Sequence, residues 1–316
     1  MRNSWSAGTA TRGLFLSFLF ALLSVPAFAA AERGVVVRPC QIYLGPDPTS
    51  QKMSVLERGR ELAIIERSRD WVKVFASITP EKDITGWMPD KGIVTTSTPN
   101  GDKIVFGEAV DSESEASRAH GRKGAAEDAM RLYARMAEYF PQSPLAPEAF
   151  YRAADVRWQL ERAGIMSRPS AKQVDPSDRE EINTQYMHEV MKKYPRTKWA
   201  DLAAFHLIDN KLCGSWDGTP RCPEREAELY EKYVNEHPDS PVVAEALYEA
   251  AWRRGALIDI YQSNDEGKKS DEAKAHAMAL AEKITSKYPQ TDWSARAARL
   301  IFYLQQGIPT YGNVVQ

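Results

Sequence analysis

Three short segments contain residue types that could carry out catalysis. His188 is followed by a glutamate, as on the helix of a zinc protease, but Lys192 stands where that helix needs a second histidine. Segments 213–216 and 214–218 resemble a cysteine-protease motif and a serine nucleophile elbow, but in both Trp216 occupies the position of the nucleophile. We therefore expect no enzymatic activity, no metal and no cofactor.

The cysteines point to a structural bond. Cys213 and Cys222 bracket a turn-rich segment that can bring both sulfur atoms together, and we predict a disulfide between them. Closing so short a loop should stabilise the fold by about 2 to 3 kcal/mol. Zinc is the alternative, but it needs two further ligands, and no His or other Cys lies near these residues in the sequence. Cys40 is left over, and we interpret it as a buried small hydrophobic residue.

The first 29 residues have the pattern of a secretory signal peptide. Arg2 and Arg12 precede an apolar run over 14–25, and Ala27 and Ala29 occupy the two positions that a signal peptidase reads. A retained membrane anchor is the alternative, but about 12 residues rise only about 18 Å as a helix, against a hydrocarbon core of about 30 Å. We predict cleavage after Ala29, no membrane span in the mature chain, and a periplasmic or secreted location.

The charge balance argues against nucleic acid as a partner. The chain has 41 Lys and Arg residues against 43 Asp and Glu residues, and neither sign forms a long block. Nucleic-acid binding needs a concentrated basic face that neutralises phosphates.

Residues 34–97 have the composition of short strands. β-Branched and aromatic runs occur at 35–37, 41–44, 61–66 and 71–75, and turn residues separate them. About 60 residues in five or six strands would form a small barrel or sandwich that closes on itself and hides its edges.

This β unit resembles the bacterial SH3-like domains of envelope proteins. The likeness rests on Tyr43 before a Pro-rich turn, on Gly59, on segment 70–74 (Asp-Trp-Val-Lys-Val) and on a Gly-Trp pair at 86–87. It implies a barrel used for recognition, often of peptidoglycan or of protein segments. Tyr43 and Trp71 are the candidate ligand-binding residues, because aromatic side chains offer flat contact area. The alternative is that they fill or cap a very small core.

Residues 98–124 are rich in polar and turn residues that bury little apolar surface, so we predict a linker there. Within it, the apolar segment 104–106 could dock on a neighbouring element, and a helix could begin before Ala125.

Four copies of one phrase occupy residues 125–306. Each copy has an aromatic residue or His, then Pro, any residue, and Ser or Thr, and an alanine follows eight positions after the proline. Because proline disfavours helical geometry in the residue before it, each phrase predicts the end of one helix and, at its Ser or Thr, the cap of the next. Ser143 and Ser240 directly precede a proline, which suits the first position of a helix. The prolines are Pro141, Pro195, Pro238 and Pro289, and the alanines are Ala149, Ala203, Ala246 and Ala297.

The phrase resembles the tetratricopeptide-like repeats of BamD-type outer-membrane assembly lipoproteins and of periplasmic cell-division coordinators. This resemblance implies an α-solenoid of about four helical hairpins that holds a peptide of a partner protein. Residues 307–316 follow the repeats as an extended tail.

The sequence therefore predicts a small all-β, SH3-like barrel followed by an all-α, tetratricopeptide-like solenoid. The expected function is that of a non-enzymatic periplasmic adaptor or scaffold. Its repeats would bind an envelope protein or peptide segment, and its barrel would bind the wall, with peptidoglycan as a candidate ligand, or a protein segment. The alternatives are a self-associating, wall-associated structural module and a cell-wall hydrolase.

Overall fold

The computed structural model describes residues 32–79 and 81–311. The predicted signal peptide, 1–29, and the last part of the predicted tail, 312–316, lie outside the described residues. Within them, an antiparallel sheet is followed by helices stacked in hairpins. The predicted two-part fold class is thereby confirmed.

The β unit is one ladder of antiparallel strands in the order β3-β2-β6-β5-β4-β1-β7. Alternate side chains, such as Leu62 and Ile64 on one strand and Val72 and Val74 on the next, enter a single apolar core. This period of two is what a sheet with one buried face requires. The strands are Glu32–Val36 (β1), Cys40–Tyr43 (β2), Lys52–Leu56 (β3), Glu61–Ser68 (β4), Trp71–Thr79 (β5), Lys82–Pro89 (β6) and Ile93–Thr95 (β7).

The sheet differs from the sequence prediction in its strand number and in its edges. The described residues form seven strands rather than five or six, and β3 and β7 end the ladder without pairing to each other. The β7 edge is covered by a helix rather than by another strand, because the first helix, Gly101–Ala116 (α1), packs against β7. The outer edge of β3 is left open within the described part of the chain.

The helical part of the described residues contains nine α-helices. Four hairpins pair α2 with α3, α4 with α5, α6 with α7 and α8 with α9, and α1 packs on α2. The helices are Gly101–Ala116 (α1), Ala125–Tyr139 (α2), Ala146–Met166 (α3), Gln185–Lys193 (α4), Lys198–His206 (α5), Arg221–Glu236 (α6), Val243–Ser263 (α7), Gly267–Lys287 (α8) and Asp292–Gln306 (α9).

The repeated phrase ends the first helix of every hairpin in the same way. The residue before each proline is the C-cap, with φ between −124° and −128° and ψ between 45° and 58° in all four copies. This is the backbone expected when a proline ring excludes the residue before it from helical geometry. The four alanines that follow are fully buried between helices, as predicted.

The predicted caps hold in two copies and fail in two. Thr197 and Thr291 accept hydrogen bonds from the backbone of the next helix, each at 3.3 Å. Ser143 and Ser240 do not cap, because a tight turn follows each serine and the helices begin three residues later. Each hydroxyl accepts a backbone N–H inside the turn, from Leu145 at 3.3 Å and from Val242 at 3.4 Å. Each also bonds across the fold, Ser143 to Asp102 of α1 at 2.7 Å and Ser240 to a tyrosine hydroxyl of α6 at 2.6 Å.

The linker predicted at 98–124 is wrong for most of its length. Residues Gly101–Ala116 form α1, and Val105 and Ala109 on this helix are fully buried. They share one apolar core with Val35 and Val94 of the sheet and with α2. The polar segment 111–115 misled the prediction, because within it only Asp111 and Ser114 are exposed, whereas Ser112 is buried and Glu113 accepts a hydrogen bond from Tyr133 of α2. The sheet and the helices therefore meet in a packed core.

None of the helices in the described ranges is long and apolar enough to cross a lipid bilayer.

Candidate binding cleft

A cleft of about 660 Å³ lies between the sheet and the first two hairpins. We call it the sheet–helix cleft. Its walls come from β1, β4, β5 and the turn before β4 on one side, and from α2, α3 and α4 on the other. Clefts of this size, with an apolar lining and a few convergent polar groups, are the usual form of binding sites.

The floor of the cleft is apolar and has room for a side chain. On the sheet, Phe75 is 43% exposed and lies beside Ala63, its cross-strand partner. On the helices, Met130, Ala134 and Phe150 complete the floor, and the small alanine leaves open space between the two walls.

Gly59 sets the separation of the two walls. It has a φ of +73°, and a Cβ there would lie 2.5 Å from the Cβ of Arg131 and 2.9 Å from the backbone nitrogen of Leu132. Only glycine lets the β3–β4 turn approach α2 so closely in this left-handed conformation. Across the same contact, Arg131 donates a hydrogen bond to the carbonyl oxygen of Arg58 at 3.0 Å.

An ion-pair network fixes β4 on α2. Glu61 accepts hydrogen bonds from Arg33 and, at 2.9 Å, from the hydroxyl of Tyr139, and it lies 3.3 Å from Arg135. Both arginines also bond Glu138. Burial and the bond to Glu61 raise the pKa of Tyr139, so its hydroxyl stays protonated and donates. Burial opposes the change, but bonds from Arg33 and Arg135 hold the pKa of Glu138 below its ordinary value.

Two other arginines of the cleft retain hydrogen-bonding capacity. Arg60 stands 4.0 Å from Glu57, and Arg157 stands 3.4 Å from Glu161. Arg157 also lies over the ring of Tyr186, 4.0 Å from its centroid. Within residues 32–79 and 81–311, neither arginine makes a side-chain hydrogen bond, so their N–H groups are available to a ligand.

Tyr43 and Trp71, the residues predicted for ligand binding, lie together on the sheet but outside this cleft. Their ring centroids are 5.4 Å apart in an edge-to-face arrangement, and both side chains are half-buried. Tyr43 also faces Trp87 across β2 and β6. The pair forms a small aromatic surface, and its role in binding stays a prediction.

Cys213 and Cys222 lie at disulfide-bonding distance, with their Cα atoms 6.1 Å apart. The loop between them is held by Glu226 of α6, a buried side chain that is 1% exposed. Glu226 accepts hydrogen bonds from the backbone of Cys213 and from Trp216, and it pairs with buried Arg253 at 2.7 Å. Trp216, which interrupts both catalytic motifs, therefore has a packing role.

The predicted tail is docked as far as it is described. Gly307 ends α9 in a left-handed conformation. Thr310 donates its backbone N–H to Asp259 at 3.3 Å, and the ring of Tyr311 packs on Trp216 with centroids 5.1 Å apart. The disulfide loop and the tail thus support each other.

The described residues contain no group of three or more His, Cys, Asp or Glu side chains arranged to hold a metal ion. His188 is exposed on α4.

Sequence reasoning missed the sheet–helix cleft. Arg60, Arg131 and Arg157 lie far apart in the chain, in a turn and on two helices, and no motif links them. The one available signal was the turn 58–60, in which a glycine between two arginines breaks the strand pattern.

No family model matches this chain, and no curated protein matches it either. Among solved structures, a de novo designed helical repeat protein, DHR64, is 16% identical, with a TM-score of 0.23 and coverage of 66% of this chain and 94% of that chain. The DHF119 filament is 15% identical, with a TM-score of 0.23 and coverage of 66% and 95%. At these TM-scores nothing about function follows from the likeness.

Proposed function

We propose that this protein is a non-enzymatic periplasmic adaptor that binds a segment of an envelope protein. In this proposal the β unit is an SH3-like domain that contacts the wall or a protein segment, and the helices are tetratricopeptide-like repeats similar to those of BamD-type assembly lipoproteins and cell-division coordinators. Repeat arrays of this kind offer extended concave surfaces to partners.

The sheet–helix cleft is the observation that carries the proposal. It is open, its floor is apolar, and arginine side chains stand on both of its walls. Because the walls are joined by a packed core and by the Glu61 network, the cleft is preformed. A preformed site avoids the ordering cost that weakens binding by flexible surfaces.

Site-specific photocrosslinking in the native envelope tests the adaptor. A benzoylphenylalanine in place of Phe75, which is exposed in the cleft, should capture an envelope protein other than this chain. The same group at Ala163, exposed on α3 outside the cleft, is the matched control and should not capture it. Deleting the β unit would be a poor test, because Val35 and Val94 complete the core of α1 and α2.

Capture of the same products from both positions would refute the adaptor proposal. Capture only of this chain would favour the structural module. Release of soluble fragments from purified wall by the purified protein, lost on substitution of Cys213 or His188, would establish the hydrolase.

The open edge of β3 supports self-association as a second candidate. Val55 on this strand is 48% exposed, and Met53 beside it is also exposed. Unpaired edge strands with apolar side chains readily pair with another copy. Sedimentation at micromolar concentration should then show a dimer that Val55→Lys dissociates, while Ile65→Lys, on the interior strand β4, leaves it intact. A monomer at every concentration would exclude this candidate.

A further inference from the structure

We infer that the occupant of the sheet–helix cleft is an extended acidic peptide segment in which carboxylate and apolar side chains alternate. This inference rests on the proposed adaptor function and specifies the chemistry of the partner.

The lining of the cleft has more arginines than carboxylates. Its acidic residues are Glu61 and Glu189, and its five arginines are Arg33, Arg60, Arg131, Arg135 and Arg157. Carboxylates just outside the lining pair with these arginines: Glu138 with Arg33 and Arg135, Asp128 with Arg131, Glu57 with Arg60 and Glu161 with Arg157. An anionic ligand is therefore favoured by those arginines that keep N–H groups free of hydrogen bonds.

The arginines divide into two groups with different tasks. Three of them are already bonded. Arg33 and Arg135 pair with Glu61 and Glu138 and fasten the sheet to α2, and Arg131 donates to the carbonyl oxygen of Arg58 and to Asp128. Arg60 and Arg157 are not committed in this way, and each faces only one carboxylate, at 4.0 Å and 3.4 Å.

These two arginines stand on opposite sides of the cleft. Arg60 belongs to the turn before β4, and Arg157 belongs to α3. The guanidinium of Arg157 lies over the ring of Tyr186, and its Nε faces Glu161, which leaves its terminal N–H groups for a carboxylate of the ligand. A guanidinium binds a carboxylate through two parallel hydrogen bonds, so each arginine can receive one acidic side chain.

The floor decides between peptide and other anions. Phe75, Met130 and Phe150 offer apolar surface between the two arginines, with space above Ala134. A phosphate polymer would pair with the arginines and leave this surface in contact with water. A peptide with apolar residues between its carboxylates covers the floor and pairs with both arginines.

Fluorescence anisotropy with a defined probe tests the inference. The probe is a labelled decapeptide of alternating Glu and Leu, and the controls replace every Glu by Lys or every Leu by Ser. We expect the Glu-Leu peptide to bind the full mature chain and to be released by added salt, since screening weakens charge pairing. Both control peptides should bind at least about tenfold more weakly, which corresponds to about 1.4 kcal/mol.

Two variants locate the binding in the cleft. The double variant Arg60→Gln with Arg157→Gln should weaken the probe at least about tenfold, about 1.4 kcal/mol. The matched control, Arg118→Gln with Arg225→Gln, removes the same charge from exposed positions outside the lining and should leave affinity unchanged. Ala134→Phe should block the probe by filling the floor, and Ala163→Phe should not. Circular dichroism of each variant confirms that it is folded.

The result that would overturn the inference is equal binding of the Glu and Lys peptides, or a double variant that binds the probe as the wild type does. Equal displacement by inorganic polyphosphate, with tight binding of the Glu-Ser peptide, would show recognition of charge alone and would also overturn it. If no peptide binds but Ala134→Phe abolishes photocrosslinking of an envelope partner at Phe75, the acidic ligand is wrong and the adaptor proposal stands. Loss of both readouts would refute the two together.

Discussion

Replacing Gly59 by alanine should separate the sheet from α2 and destabilise the protein. The added Cβ would lie 2.5 Å from Arg131 Cβ and 2.9 Å from Leu132 N, and backbone and Cβ atoms cannot move aside as a long side chain can. The left-handed backbone at φ +73° adds its own penalty for any residue with a Cβ. We expect about 1 to 2 kcal/mol from the conformation and about 1 to 3 kcal/mol from overpacking, or about 2 to 5 kcal/mol in total.

Gly124→Ala is the matched control for this substitution. Gly124 is also left-handed, with φ +84°, but a Cβ there would have no neighbour within 4 Å. Gly124→Ala therefore has the conformational penalty without the steric contact. The loss of conformational entropy in the unfolded chain on changing Gly to Ala is the same at both sites. The difference between the two variants, about 1 to 3 kcal/mol, therefore measures the contact between the turn and α2.

Urea unfolding followed by tryptophan fluorescence measures both losses. The midpoint should fall further for Gly59→Ala than for Gly124→Ala, with a similar slope against urea concentration. Equal losses of stability in the two variants would refute the reasoning, because they would show that the turn does not touch α2 tightly.

Three other perturbations test other parts of the fold. Arg253→Met should cost about 3 to 5 kcal/mol in urea unfolding, because it leaves the buried carboxylate of Glu226 unpaired, and adding Glu226→Gln should recover part of this loss. Burial and the nearby Glu249 raise the pKa of Glu245 above its ordinary value of 4.5. The folded state therefore holds the proton of this carboxyl more tightly than the unfolded state does, and the free energy of unfolding falls as pH rises from about 4.5 through the raised pKa. Glu245→Gln should therefore be more stable than the wild type at pH 7 and lose that advantage below pH 4, and an equal gain at both pH values would contradict the assignment. Burial raises the pKa of the Cys40 thiol, so iodoacetamide at pH 8 should label the folded protein slowly. The unfolded protein should take up one alkyl group without reductant and three with it, because the other two cysteines form the disulfide. Uptake of three alkyl groups without reductant would exclude the disulfide.

The repeat architecture could be predicted because its signals are local. Each aromatic–Pro step ends a helix through steric exclusion between adjacent residues, and the four copies adopt nearly the same backbone. The Cys213–Cys222 pair was accessible for the same reason, since nine positions separate the two residues.

The assignments that failed depended on distant residues. Ser143 and Ser240 had the sequence of helix caps, but each is held in a tight turn before the helix, where its hydroxyl accepts a nearby backbone N–H and also bonds Asp102 or Tyr233. Segment 98–124 was too polar on average to indicate a buried helix, and the few apolar residues of α1 became significant only against β1, β7 and α2.

By itself, the sequence determined the order of a strand-rich unit and four helical hairpins, the ends of their first helices, and the small residues at the helix contacts. These depend on periodicity and on steric effects between near neighbours. Only the tertiary structure decided that the two parts share a core, that Gly59 brings the sheet against α2, and that Arg60 and Arg157 face one cleft. Residues nearly a hundred positions apart meet there, and their approach depends on how two packed elements are docked, which no local pattern records.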